Sequence, residues 1–159
     1  MSKAILFVCL GNICRSPTAE AVLRRLAEQA GLPLTIDSAG TGNWHVGEPP
    51  HPPMIKAAKA RGYDLSPLRA RQINPEDFQR FDRIFVMDDR NLRDVMALRQ
   101  SHRLSETATW PERLLDLVPE LGLTEVPDPY YSGAFDQTIS LCETACRRLI
   151  TDLQGHEAQ

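Results

Sequence analysis

A short apolar run that leads through a tight loop into a helix constrains this chain more than any other feature. Residues 4–8 (AILFV) are rich in strand-forming side chains and predict a buried strand. Gly11 and Asn12 follow, and both tolerate left-handed backbone conformations. Ser16 and Pro17 then favour a helix start, with the hydroxyl as N-cap and the proline in the first turn. The chain therefore turns from strand to helix within one loop.

Strand and helix patterns alternate along the remaining sequence, which at 159 residues is close to one domain of about 150. The pattern predicts further strands at 34–37, 83–87 and 113–117, helices at 16–30, 54–61, 75–78, after Asp88 or Asp89 and at 135–153, and long loops at 38–53 and 124–133. This order indicates a single α/β domain, a four-stranded parallel sheet flanked by helices on both faces. We expect the domain to span residues 1–154 and residues 155–159 to form a frayed tail.

The loop after the first strand is the expected binding site, because parallel sheets bind ligands beyond the carboxyl ends of their strands. Unpaired N–H groups at a helix start carry positive partial charge and form a nest for an anion. Arg15 stands at that helix start, where its planar guanidinium can hold two phosphate oxygens. Cys9 ends the strand and faces the same nest, whose positive field favours the nucleophilic thiolate. Cys-x₅-Arg-Ser in this setting indicates a phosphate-binding loop with a nucleophile aimed at phosphorus.

Several other classes of protein fit the sequence poorly. No Gly-Lys-Ser/Thr follows the loop, so a Walker A nucleotide site is absent. A net charge of −3 disfavours a nucleic-acid partner, although a single-phosphate pocket needs only a few aimed donors. No apolar run is long enough to span a membrane. The first residues read as a strand rather than a targeting segment, so we expect a cytoplasmic location and no membrane partner.

The four cysteines divide into two pairs. Cys142 and Cys146 recur with Ile139 and Leu149 at helical spacing, which favours buried apolar side chains. A four-cysteine zinc site would prefer short hooks on turns, whereas the spacings here are C-x₄-C and C-x₃-C and the second pair lies in a helical pattern. Cys9 and Cys14 lie outside any core pattern, and we expect all four thiols to be reduced in the cytosol.

Asp128 is a candidate proton donor for the leaving oxygen of a phosphate ester. It lies between two prolines and beside Tyr130 and Tyr131, whose rings could wall a slot for an aryl group. A turn aspartate beside tyrosines that pack on the core explains the same pattern equally well.

Taken together, these residues resemble the low-molecular-weight protein tyrosine phosphatases over nearly the whole chain. The segments that carry the resemblance are 7–20 (FVCLGNICRSPTAE), 37–42 (DSAGTG), 44–49 (WHVGEP), 70–72 (ARQ), 86–92 (VMDDRNL) and 128–131 (DPYY). The resemblance implies a metal-independent hydrolase without cofactors that cleaves phosphotyrosine through a phosphocysteine. It implies a tyrosine-phosphorylated protein or a small aryl phosphate as substrate, and we expect a monomer.

The resemblance also assigns roles to individual residues. Cys9 matches the nucleophile, Arg15 the phosphoryl ligand and Asp128 the general acid that later acts as base. Ser16 matches the hydroxyl that donates to the thiolate, and Asp88 an aspartate that we interpret as a structural helix cap. The expected substrate-binding residues are Leu10, Gly11, Asn12, Ile13, Cys14, Ser16, Trp44, Tyr130 and Tyr131. Cys14 also matches a second loop cysteine that forms a reversible disulfide with an oxidised Cys9, which implies a redox-sensitive thiol.

The chain departs from the family around Asn12. Many members hold this loop asparagine with a serine and a histidine from two neighbouring loops. Gly42 stands near the serine position here, and Pro67 or Leu68 near the histidine position. Ser38 or Thr41 is therefore the expected support.

Three alternative functions remain. An arsenate reductase on the same fold would need further cysteines beside the loop, and the segment 86–92 has none. A phosphotyrosine-binding module without turnover would be expected to lack the nucleophile or the acid. A thiol redox protein would favour C-x-x-C rather than the C-x₄-C of Cys9 and Cys14, and would leave Arg15 without a purpose.

Overall fold

A four-stranded, all-parallel sheet forms the centre of the protein in a computed structural model that describes residues 3–157. The strands lie in the order β2-β1-β3-β4. Their bounds are β1 Lys3–Cys9, β2 Leu34–Gly40, β3 Arg83–Val86 and β4 Pro111–Arg113. The predicted fold class is confirmed, and the strand that carries the expected nucleophile lies between two neighbours.

Helices cover both faces of this sheet. Their bounds are α1 Arg15–Ala30, α2 Pro52–Ala60, α3 Asp77–Arg80, α4 Asp89–Ser101, α5 Pro129–Ser132 and α6 Phe135–Glu157, with two short 3₁₀ helices at Leu114–Leu117 and Pro119–Leu121. One core cluster joins β1 to α1, α2 and α6, and the other joins it to α3 and α4. Among the described residues, no helix is both long and apolar enough to cross a lipid bilayer.

The alternation of side chains along β1 divides the core. Ile5 and Phe7 face the cluster that contains α1 and α6, whereas Leu6 and Val8 face the opposite cluster. All four are fully buried, as expected for a strand of a parallel sheet that is covered on both faces. Cys9 lies two residues beyond Phe7 and therefore faces α1, the helix that begins directly after the loop.

The first helix buries one apolar face. Ala19, Val22, Leu23 and Ala27 are buried, Leu26 is half-buried, and Ala30 at the end of the helix is exposed. Gly31 ends the helix in the left-handed conformation, with a φ of 63°. The pattern on α6 is also confirmed, since Cys142 and Cys146 are completely buried.

The predicted fourth strand at 113–117 is wrong. The strand covers Pro111–Arg113, and Leu114–Leu117 is a 3₁₀ helix. Leu114 and Leu115 are both buried in the core cluster that contains α6. Consecutive residues of a strand point to opposite faces, so only a helical turn lets both leucines reach the same core.

Other boundaries also differ from the prediction. The loop expected at 124–133 contains α5, and the loop expected at 38–53 loses its first residues to β2 and its last to α2. The short helix predicted at 75–78 begins at Asp77. Helix α6 continues beyond the predicted end at Leu153 to Glu157, so the expected frayed tail at 155–159 begins within this helix, and residues 158–159 lie outside the described part of the chain.

Candidate active site

The candidate site lies at the carboxyl edge of the sheet, where the loop of residues 10–14 joins β1 to α1. Two backbone hydrogen bonds fasten this loop to the segment that follows β2. The Thr41 N–H donates to the Cys9 carbonyl and the Gly42 N–H to the Leu10 carbonyl, each at 2.9 Å. The loop therefore continues the sheet pairing before it turns into the helix.

Of the two roles expected for Ser16, the helix cap is not found, whereas its hydroxyl does lie beside Cys9. Helix α1 begins at Arg15, and no side chain caps it. The Ser16 hydroxyl instead lies 3.0 Å from the Cys9 sulfur, and it accepts a hydrogen bond of 2.8 Å from the Asn12 side-chain amide. The hydroxyl also lies 3.4 Å from the Ala39 carbonyl oxygen, so it can donate either to that oxygen or to Cys9. The predicted N-cap is therefore wrong, since Cys9 and Asn12 engage the side chain that would have capped the helix.

Asn12 shapes the loop from its centre. Its backbone is left-handed, with a φ of 57°, a conformation that asparagine adopts more readily than most residues. Its amide nitrogen also donates to the Ser38 hydroxyl at 2.9 Å, and its oxygen accepts from the Arg71 N–H at 3.0 Å. The expectation that Ser38 or Thr41 supports Asn12 is thus met by Ser38, while the buried Thr41 hydroxyl has no partner among the described residues.

Ser38 is itself fixed by a buried carboxylate. Its hydroxyl donates to Glu20 at 2.7 Å, and Arg24 donates to the other oxygen of Glu20 at 2.6 Å. Burial raises the pKa of Glu20, and the hydrogen bonds from Ser38 and Arg24 only partly offset this effect. Because a carboxylate only accepts hydrogen bonds, the Ser38 proton points to Glu20 and its lone pair to Asn12.

A second group of ion pairs holds the opposite end of Asn12. Arg71, whose N–H contacts the Asn12 oxygen, donates to both oxygens of the fully buried Asp77 at 3.0 and 3.1 Å. It also donates to Asp37 at 3.0 Å. The bidentate pair fixes the segment that supplies the N–H.

Arg15 is almost completely buried, with 2% of its surface exposed. Its Nη1 donates to Asp88 at 2.7 Å and to the Val126 carbonyl at 2.9 Å. Burial opposes the charged form, but the neighbouring Cys9 and the hydrogen-bonded Asp88 outweigh it, so the pKa of Arg15 is raised. The guanidinium is therefore a fixed positive charge at the base of the site.

Asp88 does more than the sequence indicated. It caps α4 as expected, accepting from the Asn91 N–H at 2.8 Å through Oδ1. Its other oxygen holds Arg15. The motif suggested the cap, but nothing in the local sequence indicates a contact between residues 15 and 88, which only the neighbouring positions of β1 and β3 make possible.

Asp128 is a turn aspartate that also lies next to Arg15. One carboxylate oxygen caps the short helix α5 by accepting from the Tyr130 N–H at 3.0 Å. The other lies 3.5 Å from Nη2 of Arg15. Its side chain is 25% exposed, so this carboxylate both stabilises the turn and faces solvent beside the guanidinium.

These side chains surround one pocket of about 280 Å³. Its lining consists of Cys9, Leu10, Gly11, Ile13, Cys14, Arg15, Trp44, His45, Asp128, Tyr130 and Tyr131. Of the predicted site residues, only Asn12 and Ser16 are absent from the lining, and both lie buried behind it. The structure thus brings the predicted catalytic and substrate-binding residues together.

The rim of the pocket is aromatic. Trp44, Tyr130 and Tyr131 are 60%, 48% and 78% exposed, so the tyrosines do not pack into the core. The two tyrosine rings meet edge to face at 5.3 Å. The Trp44 ring lies over Gly42, where an added Cβ would come within 2.3 Å of it. Exposed rings around a narrow cleft suit a flat apolar group.

Sequence reasoning missed two histidines at this site. His45 lines the pocket beside Trp44. The His51 N–H donates to the Ile13 carbonyl at 2.8 Å, and its ring lies 4.9 Å from that of Tyr130. The sequence places both histidines in the long loop after β2, but it does not indicate that this loop packs against the pocket.

The other cysteines are kept in their thiol form. Burial is the largest influence on Cys14 and, with the charge of Cys9, raises its pKa well above the usual range. Burial likewise raises the pKa of Cys142 to about 12. Neither of these two thiols is therefore ionised at neutral pH.

Comparisons with known proteins agree with this geometry. A family model described as Low molecular weight phosphotyrosine protein phosphatase matches residues 4–159. The chain is 40% identical over 153 residues to the low molecular weight protein-tyrosine-phosphatase YfkJ of Bacillus subtilis, a match covering 95% of this chain and 96% of that protein. It is 39% identical over 153 residues to the human low molecular weight phosphotyrosine protein phosphatase, covering 94% of each.

Solved structures show the same similarity. The crystal structure of YfkJ matches with a TM-score of 0.89 and 39% identity, covering 98% of this chain and 97% of that one. The protein tyrosine phosphatase from Entamoeba histolytica, crystallised with Hepes in the active site, matches with a TM-score of 0.86 and 37% identity, covering 98% and 99% of the two chains.

The close approach of β2 to the loop predicts a sensitive position at Gly40. A Cβ added there would lie 2.8 Å from the Leu10 carbonyl oxygen and 3.1 Å from the Gly11 carbonyl carbon, both backbone atoms. Gly40→Ala should therefore displace the loop and weaken binding of inorganic phosphate at least about tenfold in calorimetric titration. Gly155→Ala is the control, since nothing lies within 4 Å of its added Cβ. Equal phosphate affinity in both variants would contradict the prediction.

Proposed function

Because the chain belongs to the low molecular weight phosphotyrosine protein phosphatases, we propose that it cleaves phosphotyrosine with Cys9 as nucleophile, Arg15 as phosphate ligand and Asp128 as general acid. One observation carries this proposal: the sulfur, the guanidinium and the carboxylate all line the same pocket at the carboxyl edge of the sheet. Cys9 and Arg15 flank one loop, but Asp128 comes from a distant part of the chain, so a purely local structural role does not explain the meeting of all three.

The phosphoryl group binds in the loop. The N–H groups of residues 10–14 and the start of α1 surround the space above Cys9 and carry positive partial charge. Nη1 of Arg15 is held by Asp88 and Val126, which leaves Nε and Nη2 for two phosphoryl oxygens. These donors neutralise the negative charge on the three equatorial oxygens of the transition state.

The first chemical step transfers the phosphoryl group to the enzyme. The Cys9 thiolate attacks phosphorus in line with the tyrosine oxygen, a P–S bond forms, and the P–O bond to the aryl group breaks. Protonated Asp128 gives its proton to the departing oxygen, so tyrosine leaves as a neutral phenol. The Ser16 hydroxyl, 3.0 Å from the sulfur, stabilises the thiolate before attack.

The second step restores the enzyme. The Asp128 carboxylate takes a proton from water, and the resulting oxygen attacks phosphorus. The P–S bond breaks, inorganic phosphate leaves, and Cys9 returns as the thiolate, to which Ser16 again donates. The same carboxyl group thus serves as acid and then as base, which requires it to stay near the phosphoryl group and water. Its partial exposure beside Arg15 supports this role.

The aromatic rim selects the leaving group. Trp44 on one segment and Tyr130 and Tyr131 on another border the opening, and Ile13 provides an apolar wall at the loop. A phosphotyrosine ring between these surfaces buries apolar area on both faces, which the short side chain of phosphoserine cannot do.

Replacing the nucleophile tests the covalent mechanism. Cys9→Ser should lower the rate of phosphotyrosine and p-nitrophenyl phosphate hydrolysis at least about 10⁴-fold, because the serine hydroxyl stays protonated and attacks poorly. Steady-state kinetics and mass spectrometry of the quenched enzyme give the rate and the phosphocysteine. Cys146→Ala, on the buried face of α6, is the matched control that should remain active. Substantial turnover by Cys9→Ser would exclude Cys9 as nucleophile.

Leaving-group dependence tests the acid. Asp128→Asn cannot give a proton, so it should lower kcat/KM for phenyl phosphate by about 10²–10⁴-fold and affect p-nitrophenyl phosphate far less, since p-nitrophenolate departs without protonation. A series of substituted aryl phosphates measures this as a steeper dependence of log(kcat/KM) on leaving-group basicity. An unchanged slope in the variant would indicate a different acid.

We also propose that Cys14 protects the nucleophile. Hydrogen peroxide oxidises the Cys9 thiolate to the sulfenic acid, and the Cys14 sulfur then displaces its hydroxyl, forming a disulfide and releasing water. Both thiols line the same pocket, which supports this pairing.

Peroxide treatment tests this pairing. Activity should return with dithiothreitol in the wild type, whereas Cys14→Ser should lose most of its activity irreversibly because the sulfenic acid oxidises further. Peptide mass spectrometry should detect the Cys9–Cys14 disulfide in the wild type. Equal recovery of both proteins would contradict a protective role for Cys14.

Three expectations remain proposals beside this function. We propose a cytoplasmic location, which the four free cysteines support because thiols persist in a reducing compartment. A monomeric state and a domain limited to residues 1–154 remain predictions from the sequence.

A further inference from the structure

A second pocket lies at the edge of the sheet opposite to the candidate active site. It has a volume of about 310 Å³ and lies between α4 and the segment that leads into β4. Asp88, which contacts Arg15, caps the start of α4, whereas this pocket surrounds the end of the same helix. The 13 residues of α4 span about 20 Å, so the two pockets are well separated.

Arg99 lines this pocket without a counter-ion. It is only 4% exposed, yet it forms no ion pair with a carboxylate among residues 3–157. Its Nε donates to the Thr109 carbonyl at 3.3 Å, and its Nη2 donates to the Ser105 and Ala108 carbonyls at 2.7 and 2.8 Å. These three acceptors are neutral, whereas buried charges are normally paired with opposite charges. The positive charge of Arg99 is therefore not compensated within the described chain.

One nitrogen of this guanidinium is free to bind a ligand. Nη1 of Arg99 makes no hydrogen bond within residues 3–157, where the buried side-chain atoms without a partner belong to Thr41 and Asn91. Nη1 is therefore open to solvent at the pocket. The ring centre of Trp110 lies 3.4 Å from Cζ of Arg99, so the aromatic ring covers the flat face of the guanidinium. This stacking fixes the direction of the free N–H groups.

The rim of the second pocket adds another cation and apolar surface. Arg103 is exposed and forms no ion pair in the described part of the chain, although Glu106 also lines the pocket. Its φ of 49° is left-handed, a conformation that favours glycine at the end of a helix. Such strain is often retained where a side chain has to be held for binding. Met96 and Trp110, which are 36% and 44% exposed, provide apolar surface beside the two arginines.

We propose that this pocket binds a small organic carboxylate. Its carboxylate group accepts hydrogen bonds from Nη1 of Arg99 and from Arg103, and its apolar group contacts Met96 and Trp110. The ligand supplies the negative charge that Arg99 lacks, and a planar carboxylate suits the edge of a guanidinium. The apolar surface beside the cations favours an organic anion over an inorganic one. The proposal does not depend on the phosphatase function, because none of these residues lines the candidate active site.

The two tryptophans report on the two pockets separately, since Trp44 lines the candidate active site and Trp110 lines the second pocket. In heteronuclear NMR spectra, Trp44→Phe leaves only the indole N–H signal of Trp110 and so identifies it. In the wild type this signal should shift saturably with phenylacetate, with a dissociation constant below about 10 mM for a ligand of this size. Phenylacetamide has the same shape without the charge, and it should bind at least about tenfold more weakly.

Substitutions of two exposed arginines complete the design. Arg103→Gln removes the charge at the rim and should weaken phenylacetate binding about three- to tenfold. Arg147→Gln removes the same charge from the exposed face of α6 and should leave the affinity unchanged. Arg103→Gly also relieves the left-handed strain, so it should raise the Tm and still bind phenylacetate as weakly as Arg103→Gln. A loss of affinity in a more stable protein cannot come from unfolding.

A saturable shift of the Trp110 signal that requires both the carboxylate and Arg103 supports the proposal. Equal binding of phenylacetate and phenylacetamide would show that the pocket is only an apolar cleft. A shift of the Trp44 signal alone would show that the anion binds only at the candidate active site. Either result overturns the proposal, as would the absence of any saturable shift or equal affinities of Arg103→Gln and Arg147→Gln. Arg99 would then serve only to hold the backbone of residues 105–109.

Discussion

The loop between β1 and α1 depends on the hydrogen bonds that hold Asn12 in a left-handed conformation. A non-glycine residue in that region carries a strain of about 1 kcal/mol or more. Donation to Ser16 and Ser38 and acceptance from Arg71 contribute about 0.5–1.5 kcal/mol each, which is enough to offset it. The bond from the Asn12 amide also holds the Ser16 hydroxyl, which lies 3.0 Å from the Cys9 sulfur.

Arg15 provides the second constraint. A guanidinium that is only 2% exposed would destabilise the fold if it had no hydrogen-bond acceptors. Asp88 and the Val126 carbonyl accept its hydrogen bonds. These partners follow β3 and precede α5, so one side chain ties the first loop to the segment that carries Asp128. The carboxylate that we propose as general acid is thereby placed next to the charge that we propose as phosphate ligand.

Elements with strong local patterns could be predicted from the sequence. The first three strands, α1, α2, α4 and α6 follow from apolar spacing and from glycines or caps at their ends. The strand predicted at 113–117 is wrong because the apolar residues of LLDL suit a strand and a 3₁₀ helix equally well. Only the burial of both Leu114 and Leu115 in the same core shows that this segment is a 3₁₀ helix. Helix α5 is a single turn capped by Asp128, too short to produce a periodic signal.

The sequence by itself determined the order of the elements and the residue types of the loop, because backbone propensity and apolar periodicity act over a few neighbouring residues. It also identified Cys9, Arg15 and Asp128 as candidates. Only the tertiary structure decided their partners: Asp88 for Arg15, Ser38 and Arg71 for Asn12, and His45 at the pocket wall. Those contacts join residues that are 26 to 73 positions apart, or depend on how a long loop folds over the sheet edge, and no local pattern encodes such distances.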